Sequence, residues 1–162
     1  MAIIVILLMG RPTWASLAIG LSLVAAGEAV RVWAAGYIRK CVEVTAGGPF
    51  GWVRNPLYLG SFLVTLGYCV MAGRPVLAAV VMLIFCVFHV AAVFSEEQYL
   101  TCLFGAEFLA YCKAVPRFFP RGVRHRGTER FSARLVFENR EHVSVICAAV
   151  VAAVFALHIL FR

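Results

Sequence analysis

The chain has no aspartate, and charged residues of any kind make up only 14% of its 162 positions. A soluble domain carries about a quarter charged residues. With 63% hydrophobic residues and a mean hydropathy of +0.91, an ordinary water-soluble fold is excluded. The apolar runs also lack the strict polar–apolar alternation that a membrane barrel requires. What remains is an all-α, polytopic membrane helical bundle. No C-x-x-C pair occurs among Cys41, Cys69, Cys86, Cys102, Cys112 and Cys147. Most of these lie in apolar runs, where cysteine serves as a small buried side chain, so neither a disulfide framework nor a metal site is expected. The N-terminus lacks the basic flank of a signal peptide. Met1 to Met9 is apolar but only about one-third to one-half the length needed to cross a bilayer. It reads as the remnant of a first helix, or as a helix end packed on the next.

The charge that is present is mostly basic, a formal +7. Most basic residues stand between apolar segments. There they set topology and meet lipid headgroups, and no nucleic-acid partner is expected. The pattern predicts a span from Trp14 to Tyr37, capped by Thr13 and closed by Arg39-Lys40. Further spans run from Leu57 to about Met71, from Val76 to about Ser95, and from Val143 to Phe161, for four to five membrane helices in all. The tight turn Ala72-Gly73-Arg74-Pro75 makes the middle two an antiparallel hairpin. Beyond Ser95 the helix continues to about Leu103, Gly105 interrupts it, and Ala106 to Lys113 adds a turn or two. Val115-Pro-Arg-Phe-Phe-Pro120 reads as an extended return. The stretch from Lys113 to His142 carries eight basic residues against three glutamates, net +5. Phe131, Leu135 and Phe137 interleave with those charges and suggest an amphipathic helix on headgroups. The positive-inside rule places the basic loops Arg39–Arg54 and Lys113–Arg140 in the cytoplasm and the turn at Arg74 opposite.

The chain is organised around Pro49-Phe-Gly-Trp-Val-Arg-Asn-Pro-Leu-Tyr-Leu-Gly60. Two prolines and two glycines deny it a helix until Leu57. Irregular backbone beside a membrane helix persists only where protein or water satisfies its polar groups. Arg54-Asn55 with Tyr58, Glu96-Glu97 and Arg117 are expected to meet on one face. Such a mixed set suits a zwitterionic ligand bearing a sugar; a solvated interfacial glutamate pair is the competing explanation. Glu28 and Arg31, three apart, form either a structural ion pair or a wall of the site. His89 either makes a polar contact between helices or lines an acceptor tunnel.

Taken in order, Gly48-Pro49-Phe50-Gly51-Trp52-Val53-Arg54-Asn55-Pro56-Leu57-Tyr58-Leu59-Gly60, Glu96-Glu97-x-x-Leu100, Phe104-Gly105-x-x-Phe108-x-x-Tyr111 and Val115-Pro116-Arg117-Phe118-Phe119-Pro120 resemble the catalytic core of the isoprenylcysteine carboxyl methyltransferase and phospholipid methyltransferase superfamily. The resemblance covers about Gly20 to Pro120. It implies an integral membrane methyltransferase that uses S-adenosylmethionine, bound from the cytoplasmic face. Its partner is a membrane lipid or a lipidated, isoprenylcysteine-type acceptor entering from the bilayer. It further implies catalytic roles for Arg54, Asn55 and Arg117, and cofactor contacts from Pro56, Tyr58, Leu59, Gly60, Glu96, Glu97, Tyr111 and Pro116, with no metal. Asn55 stands where the family commonly has histidine; it exchanges hydrogen bonds but does not titrate near neutral pH. One methyltransferase domain over 1–162 is expected, with a core at about 13–120, a basic segment at 121–142 and an added C-terminal span at 143–161.

The chemistry agrees with that implication. Methyl transfer from a sulfonium leaves the hard step to the cofactor, and the protein supplies proximity and orientation. No G-x-G-x-x-G occurs, which excludes a soluble Rossmann methyltransferase on pattern. Trp52, Tyr58 and Phe118 either face the cofactor or anchor the interface. Two other functions compete: an NADPH-dependent reductase of the membrane sterol type, which shares the R-N-P-x-Y-x-G run, and a non-catalytic membrane scaffold. The acceptor and the oligomeric state are not encoded in any motif.

Overall fold

The computed structural model describes residues 10–39, 42–121, 125 and 127–161. The expectations on Met1–Met9, Lys40, Cys41, Arg124, Arg126 and the anchor Arg162 lie outside these. Among the described residues all regular structure is helical. The elements are α1 (Trp14–Ala35), a 3-10 turn (Gly48–Gly51), α2 (Pro56–Ala72), α3 (Pro75–Phe104), α4 (Ala106–Ala114), α5 (Ala133–Glu138) and α6 (Glu141–Leu160). Thr13 caps α1 as expected. Its Oγ1 accepts from the Ser16 N–H at 3.1 Å, and Ser16 Oγ accepts from the Thr13 N–H at 2.9 Å, a reciprocal box that satisfies two orphan donors.

Among the described residues, three helices are long and apolar enough to cross a membrane: α1, α3 and α6. The expected second span, α2, is apolar but has 17 residues. At about 1.5 Å per residue it is roughly 25 Å long, the short end for a crossing. Pro56 fixes its start, and Gly73 ends it in a left-handed conformation at φ 62°. Only 11% of the apolar window of α3, and 11% of that of α6, is buried. Side chains such as Leu83, Val87, Phe88 and Ile146 are left exposed, as lipid-facing surfaces require. The chain is a membrane protein.

The fold divides into two compact units. One comprises α1 up to Ala29, Gly60–Phe88 and the chain from His142 onward. Its core gathers Leu17, Val24, Tyr68, Met71, Val81, Val151 and Phe155. Here α1 meets α2 through paired glycines. A Cβ on Gly27 would lie 2.6 Å from the Gly60 carbonyl oxygen, and one on Gly67 would lie 2.7 Å from the Gly20 carbonyl oxygen. Small residues allow this backbone approach, which supplies packing where lipid removes the hydrophobic driving force. The Phe62 and Phe85 rings meet edge-on with centroids 6.1 Å apart and bind α2 to α3 as the hairpin predicts. Glu28 accepts from Ser144 Oγ at 2.9 Å.

The other unit comprises Val30–Leu59 and His89–Glu141. Phe108, Tyr111 and Val115 form its apolar centre, with Val44, Ala46, Leu100 and Phe104 packed around them. The return after α4 is strapped onto the organising stretch by backbone bonds. Arg54 N–H donates to Pro116 O at 2.8 Å, His125 N–H to Gly51 O at 2.9 Å, and Ser132 N–H to Gly36 O at 2.8 Å. The Asn139 side chain donates to the carbonyls of Ala35 at 3.0 Å and Ile38 at 3.2 Å, satisfying the open end of α1. A short helix, α5, falls within the stretch expected to be amphipathic; Phe131 lies just before it, edge-on to Tyr37. Arg31 pairs with Glu141 at 2.7 Å.

Candidate functional site

The site forms in the second unit, around one carboxylate. Asn55 immediately precedes α2, with its carbonyl accepting from the Leu59 N–H. Its side-chain Nδ2 donates to Glu97 Oε1 at 3.2 Å. Arg117 grips the same carboxylate from the return: Nε lies 3.1 Å from Oε1, and Nη2 lies 2.6 Å from Oε2. Such a fork-to-carboxylate contact is among the stronger charge-assisted pairs. The Arg117 guanidinium also stacks over Phe94 at 4.4 Å. Arg54 Nη1 approaches Oε1 at 3.5 Å. The sequence thus named four residues, Arg54, Asn55, Glu97 and Arg117, that the fold brings onto one point.

The adjacent glutamates do not share this role. Glu96 is exposed and takes a hydrogen bond with Tyr58, whose ring meets the His89 ring at 5.7 Å. The sequence could not separate the two acids, because neighbouring helix positions point about 100° apart and only the packed partners decide which turns inward. Pro56 is buried at the start of α2, and Leu59 is half-buried one turn on. Pro116 contributes its carbonyl to Arg54. Gly60 falls in the first unit, at the close approach to Gly27.

A cleft opens beside the cluster, lined by Arg54, Asn55, Glu96, Glu97, Thr45, Phe50 and Tyr111 among others. Arg117, Trp52 and Phe118 are not among its lining residues; Arg117 holds Glu97 without lining the cleft. Tyr111 donates to the Phe50 carbonyl at 2.8 Å, and burial pushes its phenol above the ordinary range. Two polar atoms of residues in this wall, Arg54 Nε and Thr45 Oγ1, are buried with no hydrogen-bond partner among the described residues. Native interiors rarely leave such groups unmet.

The donor set fits a zwitterionic nucleoside cofactor. Glu97 and Arg54 offer opposite charges side by side, and Phe50, Phe108 and Tyr111 offer an aromatic wall. The cleft volume, about 150 Å³, is below the roughly 300–1,000 Å³ of pockets that engulf a whole drug-sized ligand. Among the described residues no group of three His, Cys, Asp or Glu is gathered to hold a metal ion.

Sequence reasoning missed Thr45 and Glu129. Glu129 Oε1 accepts from the Ala46 N–H at 2.8 Å, so this acid of the basic segment fixes the loop that carries Thr45. Neither lies in a motif. The only available signal for Glu129 was its sign, an acid within a basic run.

Comparison with known proteins follows the same residues. Residues 6–107 match the phospholipid methyltransferase family; the matched stretch includes Arg54, Asn55, Glu96 and Glu97 and ends before Tyr111 and Arg117. The chain is 36% identical over 114 residues to the nickel-cobalt-cadmium resistance protein NccN of Alcaligenes xylosoxydans xylosoxydans, covering 67% of this chain and 53% of that protein. It is 32% identical over 128 residues to the cobalt-zinc-cadmium resistance protein CzcN of Cupriavidus metallidurans, covering 76% and 59%. Over 73 residues it is 33% identical to the protein-S-isoprenylcysteine O-methyltransferase of Schizosaccharomyces pombe, covering 45% and 31%. The chain therefore spans between 53% and 59% of the length of the two resistance proteins. No solved structure matches it. With the match covering well over half of its residues, the chain belongs to the phospholipid methyltransferase family.

Proposed function

We propose that this chain is a single membrane methyltransferase domain over 1–162 that transfers a methyl group from S-adenosylmethionine to a lipid or lipidated acceptor. The observation that carries the reading is the convergence of Asn55, Arg54 and Arg117 on Glu97 beside a cleft. The cofactor supplies an electrophilic methyl on a sulfonium. The protein's residues bind and orient. Glu97 offers a carboxylate to the ammonium or hydroxyl groups of the ligand. Arg54, on the cleft wall, offers a cation to its carboxylate. Asn55 and Arg117 hold Glu97 in place, and Asn55 serves without titrating. Tyr111 supports the wall through Phe50. Pro56, Tyr58, Leu59, Glu96 and Pro116 complete the frame of the site. By the positive-inside rule the cleft faces the cytoplasm, and the acceptor approaches from the bilayer.

A labelled methyl donor tests this. Membranes containing the chain, incubated with S-adenosylmethionine labelled on the methyl group, are expected to pass label into extracted lipid or lipidated material. Glu97→Ala is expected to abolish the transfer. Label that stays water-soluble with the intact chain contradicts the reading. A second, compatible reading comes from the two bacterial relatives named for metal resistance: the methylated product serves metal tolerance. Loss of the gene should then lower growth on nickel, cobalt or cadmium, with rescue by the intact chain and not by Glu97→Ala.

A further inference from the structure

Thr45 is 7% exposed, and its hydroxyl oxygen is buried with no partner among the described residues, yet the residue lines the cleft. A buried hydroxyl in this condition has lost its water and gained nothing in return. The Arg54 Nε–H, in the same wall, is in the same condition. Both are held firmly. Arg54 is fixed by its backbone bond to Pro116 and its pairing with Glu97. Thr45 sits between Val44 and Ala46, which pack on the Phe108–Tyr111–Val115 cluster, and Ala46 is latched by Glu129 at 2.8 Å. Two fixed, unmet hydrogen-bonding groups thus belong to residues of one cleft wall.

We propose that Thr45 is a ligand-binding residue whose hydroxyl, together with the Arg54 Nε–H, receives the carboxylate at the amino-acid end of the methyl donor. The inference rests on the methyltransferase reading and adds to it which end of the donor enters first. The charges select that end. An α-amino acid carries an ammonium and a carboxylate on one carbon, and the wall presents a carboxylate, Glu97, and a guanidinium, Arg54, 3.5 Å apart. A guanidinium N–H donates and never accepts, so the Arg54 Nε–H calls for an acceptor. The cleft, about 150 Å³, suits an amino-acid end better than a whole nucleoside.

Titration calorimetry on the full chain in detergent tests this with two probes. S-adenosylhomocysteine carries the amino-acid end; 5′-methylthioadenosine lacks it. Thr45→Val, which keeps the shape and removes the hydroxyl, is expected to weaken S-adenosylhomocysteine about tenfold and leave methylthioadenosine unchanged, and the retained nucleoside binding shows that the fold is intact. Thr45→Ser is expected to bind both probes as the intact chain does. Undiminished S-adenosylhomocysteine binding by Thr45→Val, or equal weakening of both probes, overturns the assignment while the methyltransferase reading stands. An intact chain that binds neither probe overturns that reading and this inference with it.

Discussion

Glu97 is the residue on which the cluster turns, because three groups from two separate loops spend their polar contacts on it. Removing it leaves two guanidiniums and an amide facing each other with no anion. Breaking one side of a partly buried pair costs about 3 kcal/mol, so Glu97→Ala is expected to lower the thermal unfolding midpoint in detergent markedly. Glu96→Ala, at an exposed position, should change stability by less than about 0.5 kcal/mol. Equal effects of the two would contradict the division of roles. Tyr111 adds a pH signature. Its folded pKa lies above the ordinary 10.0 because burial penalises the phenolate. The stability it contributes is complete below that ordinary value and is lost as pH rises through the folded value. Above pH 10 the intact chain should therefore lose more stability than Tyr111→Phe, measured by unfolding at each pH. The meeting of Arg54, Asn55 and Glu97 was legible in the ordered motifs. The inward turn of Glu97 rather than Glu96 was not, since helix phase is set by partners far away in sequence. Thr45 was invisible for the same reason: its burial depends on Glu129, 84 positions later.

At the scale of the element, glycine decides two contacts. α1 and α2 approach through Gly20, Gly27, Gly60 and Gly67, with carbonyl oxygens where a Cβ would stand. Backbone cannot yield as a flexible side chain does, so Gly67→Ala or Gly27→Ala is expected to destabilise the chain by about 1–3 kcal/mol. Gly105 differs. It separates α3 from α4 at φ 55°, and a Cβ there meets nothing within 4 Å. Gly105→Ala should cost only the backbone penalty, about 1–2 kcal/mol. Thermal melts of these variants in one detergent check both values, and an unchanged midpoint in Gly67→Ala and Gly27→Ala would contradict the close approach. Helix positions were well read from the apolar runs because prolines and glycines mark their ends: Pro56, Gly73 and Gly105 all fall at boundaries. α2 was read as a span from Leu57 to about Met71, and the helix runs Pro56–Ala72, at the short end for a crossing because Gly73 stops it. A helix was expected around Phe131, Leu135 and Phe137, where α5 falls, but the capping of α1 by Asn139 leaves no periodic trace in a sequence.

At the scale of the whole molecule, composition alone settled the membrane class, and the family match agrees with it. The distribution of arginine predicts which loops share a side of the membrane. Topology reporters fused within the turn at Arg74 and after Pro120 should report opposite sides, and the same side for both would contradict the proposed orientation. The central claim is that the cleft beside Glu97 holds a methyl donor, and equilibrium binding of S-adenosylhomocysteine to the detergent-purified chain tests it most directly. Saturable binding by the intact chain, weakened at least about tenfold in Glu97→Ala and in Arg54→Ala, is the expected result. No saturable binding by the intact chain, or the same affinity in both variants, would contradict the account.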